Sequence, residues 1–268
     1  MRIGVFDSGV GGLTVLRELM RHCPGQSTIY LGDTARVPYG TKSPQTVRRY
    51  ALLNADFLLR EGIDALVIAC NTASAYALEE LARLPVPVIG VIEPGARLAA
   101  ERTRTGRIGV LGTAGTVRSG AYERALRAID PGLSVEAIAC PLFVPLAEEG
   151  WVGGPIVKQT AEIYLAPWVN EPNGAPDAVI LGCTHYPLLK PALQEVLGPD
   201  MALIDSAESV ALAVAEHLAP AKQGTNSSHR IFLTDASEGF IRQASLFLGE
   251  QFTEIDAPIE VVDLEPAV

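Results

Sequence analysis

The chain has 268 residues, is 48% hydrophobic and 19% charged, and carries a formal net charge of −10. That apolar content excludes wholesale disorder, and the length suits one large domain or two modest ones. The negative balance excludes broad nucleic-acid binding, which needs summed positive charge, although backbone N–H groups could still hold a small anion.

The first element expected is a strand at 2–6 ("RIGVF"), running into the turn "FDSGVGGLT" at 6–14. A strand and a glycine turn do not make a signal peptide, and no apolar run is long enough to span a bilayer. The expectation is a cytoplasmic protein with no membrane partner. The turn's glycines permit close backbone approach to a ligand. The turn lacks both G-x-G-x-x-G and a Gly-Lys-Ser/Thr ending, so a nucleotide site is only weakly signalled. Asp7 and Ser8 stand at the strand end, either as ligand-facing groups or as a helix cap.

A second strand at 27–31 leads into "GDTARVPYG" at 32–40, a long polar loop suited to substrate contacts. In it, Arg36 reads equally as a carboxylate clamp or a surface residue. A helix over 44–61 has Ser43 as N-cap and Pro44 at its first position. Strands follow at 64–69 and 86–92, then a polar link at 101–107 ("ERTRTGR"). The pattern continues with strands at 107–111, 133–139, 177–181 and 201–205, and helices at 116–129, 155–169 and 206–218. The loop at 220–230 is polar and expected to be exposed. Nearly unbroken β-branched and aliphatic runs suit strands covered on both faces, so the fold class is α/β with mainly parallel sheets flanked by helices.

The two strand sets match in order. Ile3-Gly4-Val5 and Ile108-Gly109-Val110 each open a set and run into a glycine-rich turn. "DALVIACNT" (64–72) and "DAVILGCTH" (177–185) then place a cysteine at the same point of the same element. We read this as an internal duplication that makes two similar domains related by pseudo-twofold symmetry. The segment from about residue 206 has no partner in the repeat.

Of the four cysteines, Cys23, Cys70, Cys140 and Cys183, none forms a C-x-x-C pair, so zinc has little support and free thiols are expected. In open parallel sheets ligands bind beyond the carboxyl ends of the strands, where Cys70 and Cys183 fall. Two facing copies would bring the thiols to one cleft from opposite sides. A pair of acid–base groups placed that way removes a proton from one face of a carbon and delivers one to the other. A thiol suits this because its reference pKa, about 8.5, can be lowered by a helix N-terminus. Asn71, Thr72, Thr184 and His185 could hydrogen-bond substrate polar groups, and His185 could carry protons to Cys183. Asp7 could pair with a substrate ammonium or orient the thiol.

These residues closely resemble the glutamate racemases of the aspartate/glutamate racemase superfamily. The likeness rests on "FDSGVGGLTVL", "GDTARVPYG", "ACNTASA", "CPLFVPLAEEG" and "LGCTHYPLL", which run in the family's order from Phe6 to Leu189. The resemblance implies cofactor-independent interconversion of L- and D-glutamate, the latter a building block of peptidoglycan. It implies Cys70 and Cys183 as the catalytic acid and base. It also implies Asp7, Ser8, Tyr39, Gly40, Asn71, Thr72, Thr184 and His185 as substrate-binding positions, Asp33 and Glu148 in support, and no metal. It further implies a homodimer, and a first domain (1–100 plus 207–268) completed by the C-terminal segment around a second domain (101–206).

Three other readings compete. A pyridoxal-phosphate racemase needs a Schiff-base lysine, and Lys42, Lys158, Lys190 and Lys222 all lie away from buried strand ends. An aspartate racemase would share the two-cysteine logic. A two-lobed binding protein would close on an amino acid without chemistry.

Overall fold

The computed structural model describes residues 1–170, 174–217, 227–236, 239–249 and 259–264. Two parallel sheets organise them. The first contains β1 (Arg2–Asp7), β2 (Ser27–Gly32), β3 (Ala65–Ile68) and β4 (Val88–Gly90). The second contains β5 (Arg107–Gly112), β6 (Ser134–Ala139), β7 (Ala178–Gly182) and β8 (Ala202–Asp205). In the first the order is β2-β1-β3-β4, and in the second β6-β5-β7-β8, the same sequence of positions. Even the register repeats: Ile3 pairs with Ala65 as Ile108 pairs with Ala178. The two cysteines therefore emerge at equivalent points, each just past the centre strand's neighbour.

The C-terminal part adds two strands to the first sheet that the sequence pattern did not suggest, β9 (His229–Leu233) beside β2 and then β10 (Ile259–Val261). β9 opens on two polar residues, His229 and Arg230, ahead of its three buried apolar ones, and β10 has no buried residue, so neither presents a long apolar run.

Helices α1 (Leu13–His22), α2 (Pro44–Arg60), α3 (Asn71–Leu81) and α4 (Ile92–Arg102) accompany the first set. Helices α5 (Ala114–Ser119), α6 (Ala121–Ile129), α7 (Phe143–Glu148), α8 (Pro155–Asn170) and α9 (Lys190–Leu197) accompany the second, and α10 (Ser206–His217) and α11 (Phe240–Leu248) follow. Ser43 caps α2 as expected, accepting from Thr46 N–H. The helix expected over 116–129 is two helices, because Gly120 takes the left-handed conformation (φ +63°) and its N–H turns back to Val117 O. The strand expected over 86–92 is shorter: Pro87 has no N–H to donate, and α4 starts at Ile92. Leu218, the expected end of α10, and most of the 220–230 loop lie outside the described residues.

Three apolar clusters hold the layers. One fills the space between the sheets, joining Val5 and Val67 to Val110 and Ile180 through α1, α4, α6 and α10. A second lies under α2 and α3 on the outer face of the first sheet, and a third under α8 and α9 on the outer face of the second. Each buried Leu, Ile or Phe contributes about 1.5–3 kcal/mol, so the shared middle cluster is what binds the two halves. Among the described residues no helix is long and apolar enough to cross a membrane.

Candidate active site

Between the carboxyl ends of the two sheets lies a cavity of about 170 Å³. Its wall takes Ser8, Tyr39, Gly40, Cys70, Asn71 and Thr72 from the first half. Glu148, Cys183, Thr184 and His185 come from the second. Ten of the twelve residues expected at the site thus line one cavity. The other two, Asp7 and Asp33, sit behind the wall.

Cys70 lies two residues past β3 and caps α3, its sulfur accepting from Ala73 N–H at 3.4 Å. The helix end was expected to lower this thiol. Instead burial, and then the nearby Asp7 charge, push it up to about 12, against the Ala73 and Ser8 hydrogen bonds. Desolvation of a thiolate outweighs one helix terminus here. Burial thus favours the thiol form of Cys70.

Cys183 follows β7 at the start of the 3₁₀ turn that carries Tyr186–Leu189. Its sulfur lies 3.8 Å from His185 Nδ1, and His185 Nε2 lies 2.9 Å from Glu148 Oε1. Burial opposes the His185 charge, but the Cys183 and Glu148 partners prevail and raise its pKa to about 10. The imidazole lies between a carboxylate and a sulfur, an arrangement that favours its protonated form. Glu148 reaches it because Tyr186 donates to Cys140 O (2.8 Å) and stacks edge-on with Phe143, tying α7 to the Cys183 turn.

Asp7 is fully buried. Oδ2 accepts from Gly9 N–H at 2.9 Å and Oδ1 from Thr184 Oγ1 at 3.4 Å. Burial raises its pKa, while the His185 charge and backbone N–H groups of the glycine turn oppose the rise. It thus joins the first turn to the Cys183 turn from behind. Thr14 reinforces the same joint by donating to Thr184 O at 3.0 Å. Asp33 is also interior: it accepts from Tyr39 O–H, from Arg36 Nη1 (3.0 Å) and from Thr234 Oγ1 (3.0 Å). Arg36 is a carboxylate clamp after all, but for Asp33. Asn54 Nδ2 donates to the Tyr39 hydroxyl oxygen at 3.0 Å, so that hydroxyl is held from two sides.

The sequence reading missed Thr113, Tyr122 and Phe247. Thr113 lines the cavity and lies 2.9 Å from Thr72 Oγ1, with Thr116 closing a ring of three hydroxyls. The duplication contained the signal: Thr113 follows β5 as Ser8 follows β1. Tyr122 donates to Asn71 Oδ1 at 2.6 Å. Phe247, from α11, packs edge-on to His185 with centroids 5.2 Å apart. No local pattern marks either one. Among the described residues no group of three or more His, Cys, Asp or Glu is placed to hold a metal ion.

What this arrangement can do chemically is acid–base work on two sides of a small ligand. The cavity is smaller than the about 300–1,000 Å³ typical of drug-sized ligands, and fits a molecule of amino-acid size. Comparison with known proteins shows the family. The Asp/Glu/Hydantoin racemase family model matches residues 3–214. A curated glutamate racemase from Geobacter metallireducens is 52% identical over 258 residues, covering 94% of each chain. The crystal structure of a glutamate racemase isoform from Bacillus anthracis superposes with TM-score 0.90 at 41% identity, covering 98% of this chain and 97% of that one. One from Francisella tularensis, in complex with D-glutamate, gives 0.88 at 36% identity, covering 98% of each. With a family match over most of its length and relatives this close, the chain belongs to the Asp/Glu/hydantoin racemase family of isomerases.

Proposed function

We propose that this chain interconverts L- and D-glutamate without a cofactor, using Cys70 and Cys183 as the two proton-transfer groups. One observation carries the reading: strand-end cysteines from the two repeated sheets line one cavity of amino-acid size. Substrate choice is supported by relatives named glutamate racemase at 42–52% identity over most of the chain. The reading treats 1–100 with 207–268 as one domain and 101–206 as the other, the repeated strand order supporting it. D-glutamate formed in the cytoplasm would feed peptidoglycan synthesis, and a homodimer is the expected assembly.

The chemistry balances within the site. A thiolate on one side takes the α-proton, so the Cα–H bond breaks, an S–H bond forms and the electron pair spreads into the carboxylate. The thiol on the other side then gives its proton to the opposite face of Cα. Roles exchange with substrate handedness. The α-proton is very weakly acidic, so donors around the carboxylate must stabilise the developing charge; Ser8, Asn71, Thr72 and Thr184 line the wall with that chemistry. The substrate's ammonium, once enclosed, favours the charged thiolate and works against the burial that favours the thiol form of Cys70. His185, between Glu148 and Cys183, is placed to exchange protons with the second thiol. Asp7 works through Thr184 and the Gly9 turn.

The test is circular dichroism of L-glutamate in D2O with no added cofactor, followed by mass analysis. Loss of optical activity with deuterium at Cα supports the reading. Racemisation of L-aspartate instead would move the substrate, and silence with both would leave a binding protein. Cys70→Ser and Cys183→Ser should each cost about 10²–10⁴-fold in racemisation, the usual worth of a positioned acid or base, with the fold retained.

A further inference from the structure

Tyr122 stands between the two cysteine-bearing ends. It lies on α6 and is 3% exposed. Two glycines leave room for its ring. A Cβ on Gly182 would come within 3.1 Å of its Cε2, and one on Gly95 within 3.4 Å of its Cε1. Gly182 is the residue before Cys183, so the ring rests against the backbone that delivers the second thiol. The hydroxyl reaches across to the first half and donates to Asn71 Oδ1 at 2.6 Å. Asn71 is the residue after Cys70.

That bond decides what the Asn71 amide can offer. Asn71 lines the cavity and is buried, its oxygen is occupied, and its Nδ2 has no hydrogen-bond partner among the described residues. A buried N–H left unpaired is unfavourable until an acceptor arrives. The phenol cannot readily reverse the bond by ionising. Burial holds its pKa far above the ordinary range, and the nearby Cys183 and Asp205 add to that.

We propose that Tyr122 is a positioning residue that locks the Asn71 amide, reserving Nδ2 as a donor for the substrate's carboxylate beside Cys70, while its ring spaces that end from the Cys183 strand. The proposal rests on the racemase reading above. Without the hydroxyl the amide is free to turn over, and its oxygen would then face a carboxylate with like charge.

The experiment compares the unsubstituted chain, Tyr122→Phe, Asn71→Ala and the double variant in glutamate racemisation. Phe keeps the ring in its slot. Tyr122→Phe should raise KM for glutamate about tenfold, the share of one hydrogen bond to a charged group, with kcat changed much less. Added to Asn71→Ala, it should have almost no further effect on KM. A parent-like KM in Tyr122→Phe, or the same KM increase in both backgrounds, overturns the proposal. So does a variant that only unfolds earlier, with unchanged KM for the folded enzyme. The amide is also read without turnover. The Asn71 side-chain NH2 pair, assigned through Asn71→Ala, should shift in the ¹⁵N–¹H spectrum of Tyr122→Phe, and an unmoved pair overturns the lock. If the unsubstituted chain fails to racemise glutamate, the proposed function falls, and the spectrum still decides the role of Tyr122.

Discussion

Gly11 offers a sharp test of how tightly the site is built. It sits in the first turn with an ordinary negative φ, so its backbone would accept alanine; the space would not. A Cβ there would fall on Thr184 Oγ1 and His185 Nδ1, and 2.5 Å from His185 Cε1. Ordinary contact begins near 3.4 Å, so the Thr184–His185 turn must retreat by about 1 Å. It has little freedom to do so alone. Thr14 and Asp7 hold Thr184, while Glu148 and Phe247 hold His185. A 1 Å misplacement of catalytic groups costs on the order of 10²-fold, or about 2.7 kcal/mol of transition-state stabilisation. Overpacking also costs about 1–3 kcal/mol of stability, lowering the melting point by roughly 2–4 °C for each of them. The expected result for Gly11→Ala is therefore a folded protein with kcat/KM down about 100-fold, followed by circular dichroism of L-glutamate. Gly153→Ala is the control, since nothing lies within 4 Å of the added methyl. If Gly11→Ala keeps kcat/KM within about threefold of the parent, the turn is not held as described and the argument fails.

Two further outcomes follow from the charged groups. Glu148 helps raise His185 to about 10 against the opposing effect of burial. The stability from protonated His185 is complete below the ordinary histidine range and is lost as pH rises through about 10. Glu148→Gln should therefore move the alkaline limb of both the kcat/KM profile and the melting curve to lower pH, and superimposable profiles would count against the pairing. Asp177 stands just before β7 and accepts from the turn between α4 and β5. There burial, which alone would raise its pKa, is outweighed by donation from Thr103, Arg104 and Thr105, so the carboxyl is lowered. Its stabilisation is present above the ordinary aspartate pKa and disappears as pH falls through the lowered value. Asp177→Asn should lose about 1–3 kcal/mol at pH 7 by denaturant melts, with the gap closing in acid; a gap that persists below about pH 3 would show that charge is not its source.

Much of the plan was legible in the amino-acid order. Buried parallel strands need unbroken apolar runs, so the eight strands of the two sets stand out locally, and their matched cysteines mark equivalent strand ends. The family likeness reached the cavity-lining residues because they cluster in contiguous motifs at those ends. Strand β9 and the edge strand β10 carried no such signature: His229 and Arg230 leave β9 only three consecutive apolar residues, and no residue of β10 is buried. The break at Gly120 was likewise hidden, since one glycine in a helical pattern is tolerated more often than not.

What sequence alone determined was which residues stand at the carboxyl ends of the repeated strands, since side-chain placement along a strand follows from local periodicity. Only the tertiary structure decided which of them reach the cavity and in what state. Asp7 and Asp33 turn behind the wall to bind Thr184 and Tyr39, and Tyr122 and Phe247 arrive from α6 and α11, distant in the chain. The thiol form of Cys70 is favoured because burial and the Asp7 charge outweigh the helix end. Desolvation and Coulomb energy depend on everything packed around a group, and that neighbourhood exists only once the two halves have closed on each other.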